Sequence, residues 1–300
     1  MAYLFLLIAL LCGATKGFCG KKVSGYTPRF SDAALVSFLR MLLCIGVGAV
    51  IVLCQGVVPF SDFGIPMLGA SVLSAVSTAG FVVLWLMAVR TGAYVMLDIA
   101  ATAGMGVNIA LCAAIFGEPV RSVQIVGFVI LLVAVYVMCS YSISLKGKMS
   151  LSQLLVVIGC GLASGFSDFS QKLFVYKVSG NSASFNFYTY VFSAVILLAA
   201  WAVIRALEKR SESSAEPARL LSGRVLWPVF IMAVCLFLNS YFKTLAAKSI
   251  DAMVMYPLMQ GSALTLSLIM SALFFGERIT KRCVFGVSLA FAAMLMINFL

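Results

Sequence analysis

The sequence predicts an all-helical, polytopic membrane protein with ten transmembrane helices, arranged as two inverted five-helix repeats. Three observations carry that expectation. The 300 residues are 63% hydrophobic and only 10% charged, with a mean hydropathy of +1.12, too little charge to solvate the surface of a globule this size. Apolar runs of about 20 residues, the length that spans a bilayer as a helix, recur along the whole chain. Matching residue boxes recur at fixed offsets in the two halves.

Apolar runs bounded by Pro, Gly or charge place helices near 3–20, 33–54, 67–89, 93–116, 122–143, 151–176, 184–206, 225–247, 252–275 and 281–299. The N-terminus begins without a basic stretch and reads as the first span rather than a cleaved signal peptide. Only the stretch from Arg205 to Arg224, which contains Glu208, Lys209 and Pro217, is long and polar enough for a flexible loop. The other links read as tight turns.

The repeat is the most informative feature. Phe116-Gly117-Glu118 ends the fourth span, and Phe275-Gly276-Glu277 ends the ninth, 159 residues later. At the same offset Leu86 matches Leu245, Ala88 matches Ala247, and Val95-Met96 matches Val254-Met255. Cys12-Gly13 with Gly17-Phe18 matches Cys160-Gly161 with Gly165-Phe166 at an offset of 148. Each half, 1–145 and 146–300, then holds five spans. An odd number sends the second half into the membrane in the opposite direction, a device that lets transporters rock one half against the other around a central site.

Other classes fall away. The net charge of +11 is spread between apolar segments and forms no basic stripe, so nucleic acid is not an expected partner. Nine cysteines sit mostly inside apolar runs, as Cys12, Cys19, Cys44, Cys112, Cys139, Cys160 and Cys235 do, and imply no disulfide framework. With no histidine and no CxxC pair, no metal or other cofactor is expected. No Walker-type loop is present, so transport would run on an ion or solute gradient. Ser240-Tyr-Phe-Lys243 fits a Ser-x-x-Lys dyad, but no second catalytic motif accompanies it, and enzymatic use is not expected.

The two Phe-Gly-Glu boxes, the Ser37-Phe-Leu-Arg40-Met-Leu-Leu pattern opening the second span, and the five-plus-five layout resemble the EamA-type drug/metabolite transporters over essentially the whole chain. Thr91-Gly-Ala-Tyr94 and Lys21-Lys22-Val-Ser-Gly are similar to the small multidrug resistance proteins. Those proteins carry an essential glutamate in the first span, where this chain reads Ala9-Leu-Leu-Cys-Gly13-Ala14, so proton-coupled cation extrusion of that kind does not carry over. The resemblance implies a cavity lined by spans one, three, four, six, eight and nine, and export of amino acids or related metabolites.

Intramembrane charge needs a partner, a wet cavity or a route to the interface. Lys16, Arg40, Asp98 and Asp168 are the candidates. Asp168 lies in a polar patch running from Ser164 to Lys172; the competing reading is a bare ion pair with Lys172 one turn on. Arg40 reads as a snorkelling or paired side chain that sets helix depth. Lys243 and Lys248 read as interfacial anchors, and Glu118 and Glu277 as local partners of Arg121 and Arg278. Tyr94, Thr102 and Asn108 on the fourth span and Tyr256, Gln260 and Ser262 on the ninth supply uncharged polar groups. Pro257 interrupts the ninth span beside them. Trp85 and Asn239 complete the expected substrate site. Gly13/Gly17 and Gly161/Gly165, four apart on one face, allow close helix approach.

The expectation is a secondary transporter of a small polar organic solute in the lipid bilayer of the cytoplasmic membrane. A flippase for a lipid-linked head group and a non-translocating sensor or assembly subunit are the alternatives, and a homodimer stays open. Basic residues concentrate after odd-numbered spans, at Lys21, Lys22, Arg29 and Arg90 and in the 205–224 and 278–282 links. The positive-inside rule then puts both termini outside, against the termini-inside arrangement of ten-span relatives.

Overall fold

The computed structural model describes all residues except 59–62, 92–93, 147–150, 179, 210–221, 276–280 and 300. Among the described residues the chain is helical throughout: α1 (Ala2–Ser24), α2 (Phe30–Cys54), α3 (Ile65–Thr91), α4 (Tyr94–Phe116), α5 (Ser122–Lys146), α6 (Leu151–Lys177), α7 (Ser182–Lys209), α8 (Gly223–Ala247), α9 (Ala252–Phe275) and α10 (Lys281–Phe299). Judged on the described residues alone, five of these, α1, α2, α3, α7 and α8, are long and apolar enough to cross a membrane.

Local chemistry sets the ends. Asn181 caps α7, its side-chain oxygen accepting from Ala183 N at 2.7 Å and Ser184 N at 3.2 Å. Asp32 accepts from Arg29 N at 3.2 Å and closes the start of α2. Gly117, with φ of 67°, ends α4 in the left-handed region that a side chain disfavours. Two expectations shift here. The first helix runs four residues further than expected, so Lys21 and Lys22 fall in its last turn, where cations face the negative end of the helix dipole. Pro257 does not break α9, which continues through it; the missing N–H falls in the second turn and removes a single intrahelical bond.

The burial pattern is that of a protein dissolved in lipid. Val195, Val203, Trp227, Leu273 and Phe285 are each about 60% exposed or more. Ser71, Ser74, Asn186, Thr189 and Ser193 are buried. Without water to reward apolar burial, interhelical hydrogen bonds and small residues hold such helices together. Ser193 Oγ donates to Ala75 O at 3.2 Å, joining α7 to α3. Asn186 Nδ2 donates to Thr244 Oγ1 at 3.2 Å, and Tyr190 OH to Ser240 Oγ at 2.8 Å, joining α7 to α8.

The largest helix contacts are α1 with α8, α3 with α6, α4 with α6, α2 with α7 and α5 with α10. Each joins a helix before residue 147 to one after it. The tightest approach is between α4 and α6. A Cβ at Gly104 would strike the backbone carbonyl of Gly161, and a Cβ at Gly165 would strike that of Gly104. Two of the four glycines expected to permit close approach therefore do so, with Gly104 as their partner.

Candidate functional site

A cavity of about 140 Å³ lies where six helices converge. Helical spacing builds its walls: Gly13, Lys16 and Gly17 come from α1, Thr78, Phe81 and Trp85 from α3, and Ala101 from α4. Facing them are Ser164, Ser167, Asp168 and Gln171 of α6, then Leu236, Asn239, Ser240 and Lys243 of α8. Each of these two sets follows the i, i+3, i+4, i+7 pattern of one helix face. Met259, Gln260 and Ala263 of α9 close the ring. Every named lining residue stands a full turn or more inside its helix.

Lys243 forms a salt bridge and hydrogen bond with Asp168 Oδ1. The expected pairing of Asp168 with Lys172 is corrected: Lys172 Nζ lies 3.2 Å from Glu118 Oε1 and donates to Ile250 O at 2.7 Å. Lys172 starts one turn closer to the helix end, where the end of α4 and the start of α9 come within its reach. The anchor reading of Lys243 is corrected too, since its side chain is 13% exposed and lines the cavity. Asp168 Oδ2 and Gln171 Oε1 are buried with no hydrogen-bond partner among the described residues. A carboxylate with one oxygen tied to a lysine and the other unsatisfied is costly to bury, and a polar ligand or water in the cavity would relieve it.

Of the expected site residues, Lys16, Trp85, Asp168, Asn239 and Gln260 come together on this cavity. Lys16 Nζ stands 5.8 Å from the centre of the Phe81 ring. Asn239 Nδ2 donates to Ala9 O, so one lining side chain also clasps α8 to α1. Asn108 and Tyr256 do not line it. Both are fully buried, and Tyr256 OH donates to Asp168 O at 2.8 Å, so it supports the segment carrying Asp168 from behind. Asn108 accepts from Cys112 Sγ at 3.3 Å. The side chains of Tyr94, Asp98 and Thr102, and Glu277 with Arg278, lie outside the described residues.

The snorkelling reading of Arg40 is corrected as well. It is 2% exposed, and its Nε and Nη2 have no hydrogen-bond partner among the described residues. It borders a recess of about 10 Å³ whose wall includes Lys16, Phe81, Trp85 and Leu236, all of which also line the main cavity. Ser240 and Lys243 do not act on each other: the serine hydroxyl accepts from Tyr190 and the lysine is paired with Asp168.

The first Phe-Gly-Glu box has a mechanical explanation. Phe116 stacks on Tyr176 at 4.4 Å and on Phe169 at 5.8 Å between ring centres, pinning the end of α4 to α6. Gly117 turns the chain, and Glu118 then points inward rather than toward Arg121. Its Oε2 accepts from Ala252 N at 2.7 Å, the first residue of α9, while Oε1 accepts from Tyr176 OH at 2.9 Å. A carboxylate at a helix N-terminus meets both free N–H groups and the positive end of the dipole. One buried side chain thus ties α4, α6 and α9 together beside the cavity.

The wider comparisons agree with this architecture. A solved crystal structure 15% identical in sequence superposes with a TM-score of 0.74, covering 98% of this chain and 95% of that one; at that identity the likeness concerns the fold alone. No curated protein matches the chain in sequence. The EamA-like transporter family matches residues 151–299, the half that supplies Asp168, Asn239, Lys243 and Gln260 to the cavity. A multi-pass membrane transporter accounts for the lipid-facing apolar surface, the buried polar interior and this match together. Through residues 151–299, the chain belongs to the EamA-like transporter family.

Proposed function

We propose that the protein is a secondary transporter of two inverted five-helix halves, 1–145 and 146–300, in which ten spans carry a small polar organic solute across the cytoplasmic membrane by alternating access, in the direction of export. The carrying observation is the charged cavity between the halves. Helices α1, α3 and α4 of the first half and α6, α8 and α9 of the second line it, and these are the pairs that the sequence repeat matches.

The contact pattern supports the same reading. Exchanging each helix for its repeat partner turns the α1–α8 contact into α6–α3, and leaves α2–α7, α4–α9 and α5–α10 unchanged. One exchange-related pair is unequal: α4 runs backbone to backbone against α6, whereas α9 touches α1 far less. An asymmetric arrangement of symmetric parts is what one end-state of a rocking transporter looks like. Export is the direction the family resemblance favours.

The test is uptake into liposomes containing the purified protein, under imposed proton, sodium or solute gradients, over a panel of amino acids, organic acids, sugars and polyamines. Movement of at least one solute above protein-free liposomes is expected. Ligand binding without any movement across the membrane would replace this reading with the sensor alternative.

A further inference from the structure

Resting on that reading, we propose that the cavity selects a small organic anion, whose carboxylate or phosphate docks at the end formed by Lys16 and Arg40 between the Phe81 and Trp85 rings. Charge balance carries the argument. Lys243 and Asp168 neutralise each other on the α6–α8 side. Lys16 lines the main cavity and also the recess that Arg40 borders. Arg40 is 2% exposed and brings two nitrogens with no hydrogen-bond partner among the described residues.

The rest of the chain offers few counter-charges. Of its ten acidic residues, Asp32 closes the start of α2 and Glu118 pairs with Lys172. Asp251 immediately precedes α9, and Asp62, Glu208, Glu212, Glu216 and Glu277 belong to links or helix ends. That leaves Asp98 as the other carboxylate within a span. Even with Asp98 counted at the cavity, the three cations Lys16, Arg40 and Lys243 outnumber two carboxylates. In a low-dielectric interior a surplus cation favours an anionic ligand over a neutral one and opposes a cationic one. The guanidinium adds a planar set of donors suited to carboxylate or phosphate. The ligand's uncharged portion then meets Asn239, Gln260 and Gln171.

The repeat supports the assignment independently. At the offsets that match the halves, Lys16 corresponds to Ser164, Asp168 to Gly20 and Lys243 to Leu84. Glu118, which ties helices together beside the cavity, repeats as Glu277, whereas these three charged cavity positions do not repeat, as expected where charge serves a ligand rather than the shared fold.

The experiment is ligand-dependent thermal stabilisation and equilibrium binding on the detergent-purified full chain, followed by exchange in liposomes. The first probes are the five-carbon series glutarate, glutaramide and cadaverine, together with glycerol 3-phosphate and glycerol; other short mono- and dicarboxylates and sugar phosphates extend the set. Stabilisation by an anion but not by its matched neutral or cationic analogue is expected. Glutarate-type ligands succeeding alone mark a carboxylate site, and glycerol 3-phosphate alone a phosphate site. Lys16→Gln should weaken anion binding at least ten-fold, and Arg40→Gln likewise, with Arg40→Lys retaining most of it. Should Arg40→Gln fail to fold, Lys16→Gln and Arg40→Lys decide. Anions that bind no better than their analogues, or equal anion binding by Lys16→Gln, overturn the inference. Exchange of a neutral or cationic solute with none of an anion overturns it while leaving transport standing. Anion binding without exchange upholds the site and removes the transport reading.

Discussion

Lys172 Nζ of α6 lies 3.2 Å from Glu118 Oε1, just beyond the end of α4, and the same carboxylate holds the first N–H of α9. Both side chains are almost fully buried. Removing one member of such a pair leaves the other charge desolvated and unpaired, at a cost of about 3–5 kcal/mol. Lys172→Met alone should therefore lower the melting temperature sharply. Glu118→Gln combined with Lys172→Met should recover a large part of the loss, because the amide can still accept from Ala252 N. A double mutant as unstable as the singles contradicts the pairing.

Asp168 and Lys243 give a contrasting pattern, because their pair lines the cavity. Asp168→Asn and Lys243→Met should each destabilise the protein, and the double mutant should recover stability through the loss of the mutual charge imbalance. Transport should stay lost in the double mutant. Melting temperature and uptake for the three variants separate the roles, and full recovery of uptake would reduce the pair to a structural one.

The α4–α6 crossing should tolerate no added carbon. Gly104→Ala places a methyl against the Gly161 backbone carbonyl, an atom that cannot rotate away, so the helices must separate at a cost of about 1–3 kcal/mol. Gly46→Ala is the control: a Cβ there meets nothing within 4 Å, and alanine in a helix gains up to about 1 kcal/mol over glycine. Thermal unfolding should rank Gly104→Ala below the parent and Gly46→Ala at or above it.

Orientation follows from the basic links. Lys21, Lys22 and Arg29 lie at the same end of the α1–α2 hairpin, and the 205–224 link holds Arg205, Lys209, Arg210, Arg219 and Arg224. Positive-inside bias puts these in the cytoplasm. A single cysteine at Ser213, in a background with the native cysteines replaced, should resist an impermeant thiol reagent in intact cells and react after permeabilisation. Labelling in intact cells would reverse the orientation.

The all-helical fold could be read from hydropathy, because spans of about 20 apolar residues leave few alternatives in a bilayer. Part of the cavity lining was readable where polarity broke an apolar face: Lys16, Asp168, Asn239 and Gln260 all stand out in that way. Partner choice was not readable. Asp168 and Lys172 sit one turn apart, yet their partners come from α8 and α4, because the direction each side chain takes depends on which neighbours pack there. Lys243 was misread from its closeness to a helix end, although Leu236, Asn239, Ser240 and Lys243 form one polar-edged stripe that marks it as cavity-facing. Arg40 read as a snorkelling or paired side chain two turns into its span, and only the packing of α3 and α8 over it reveals an enclosed guanidinium.

The most direct test of the central claim is solute counterflow. Liposomes containing the protein are loaded with a high concentration of the best-stabilising solute and diluted into a trace of the labelled form. Transient accumulation of label inside, absent from protein-free liposomes and from liposomes carrying Lys16→Gln, is the predicted result. Tight binding of that solute with no label accumulation under any gradient would contradict an alternating-access carrier.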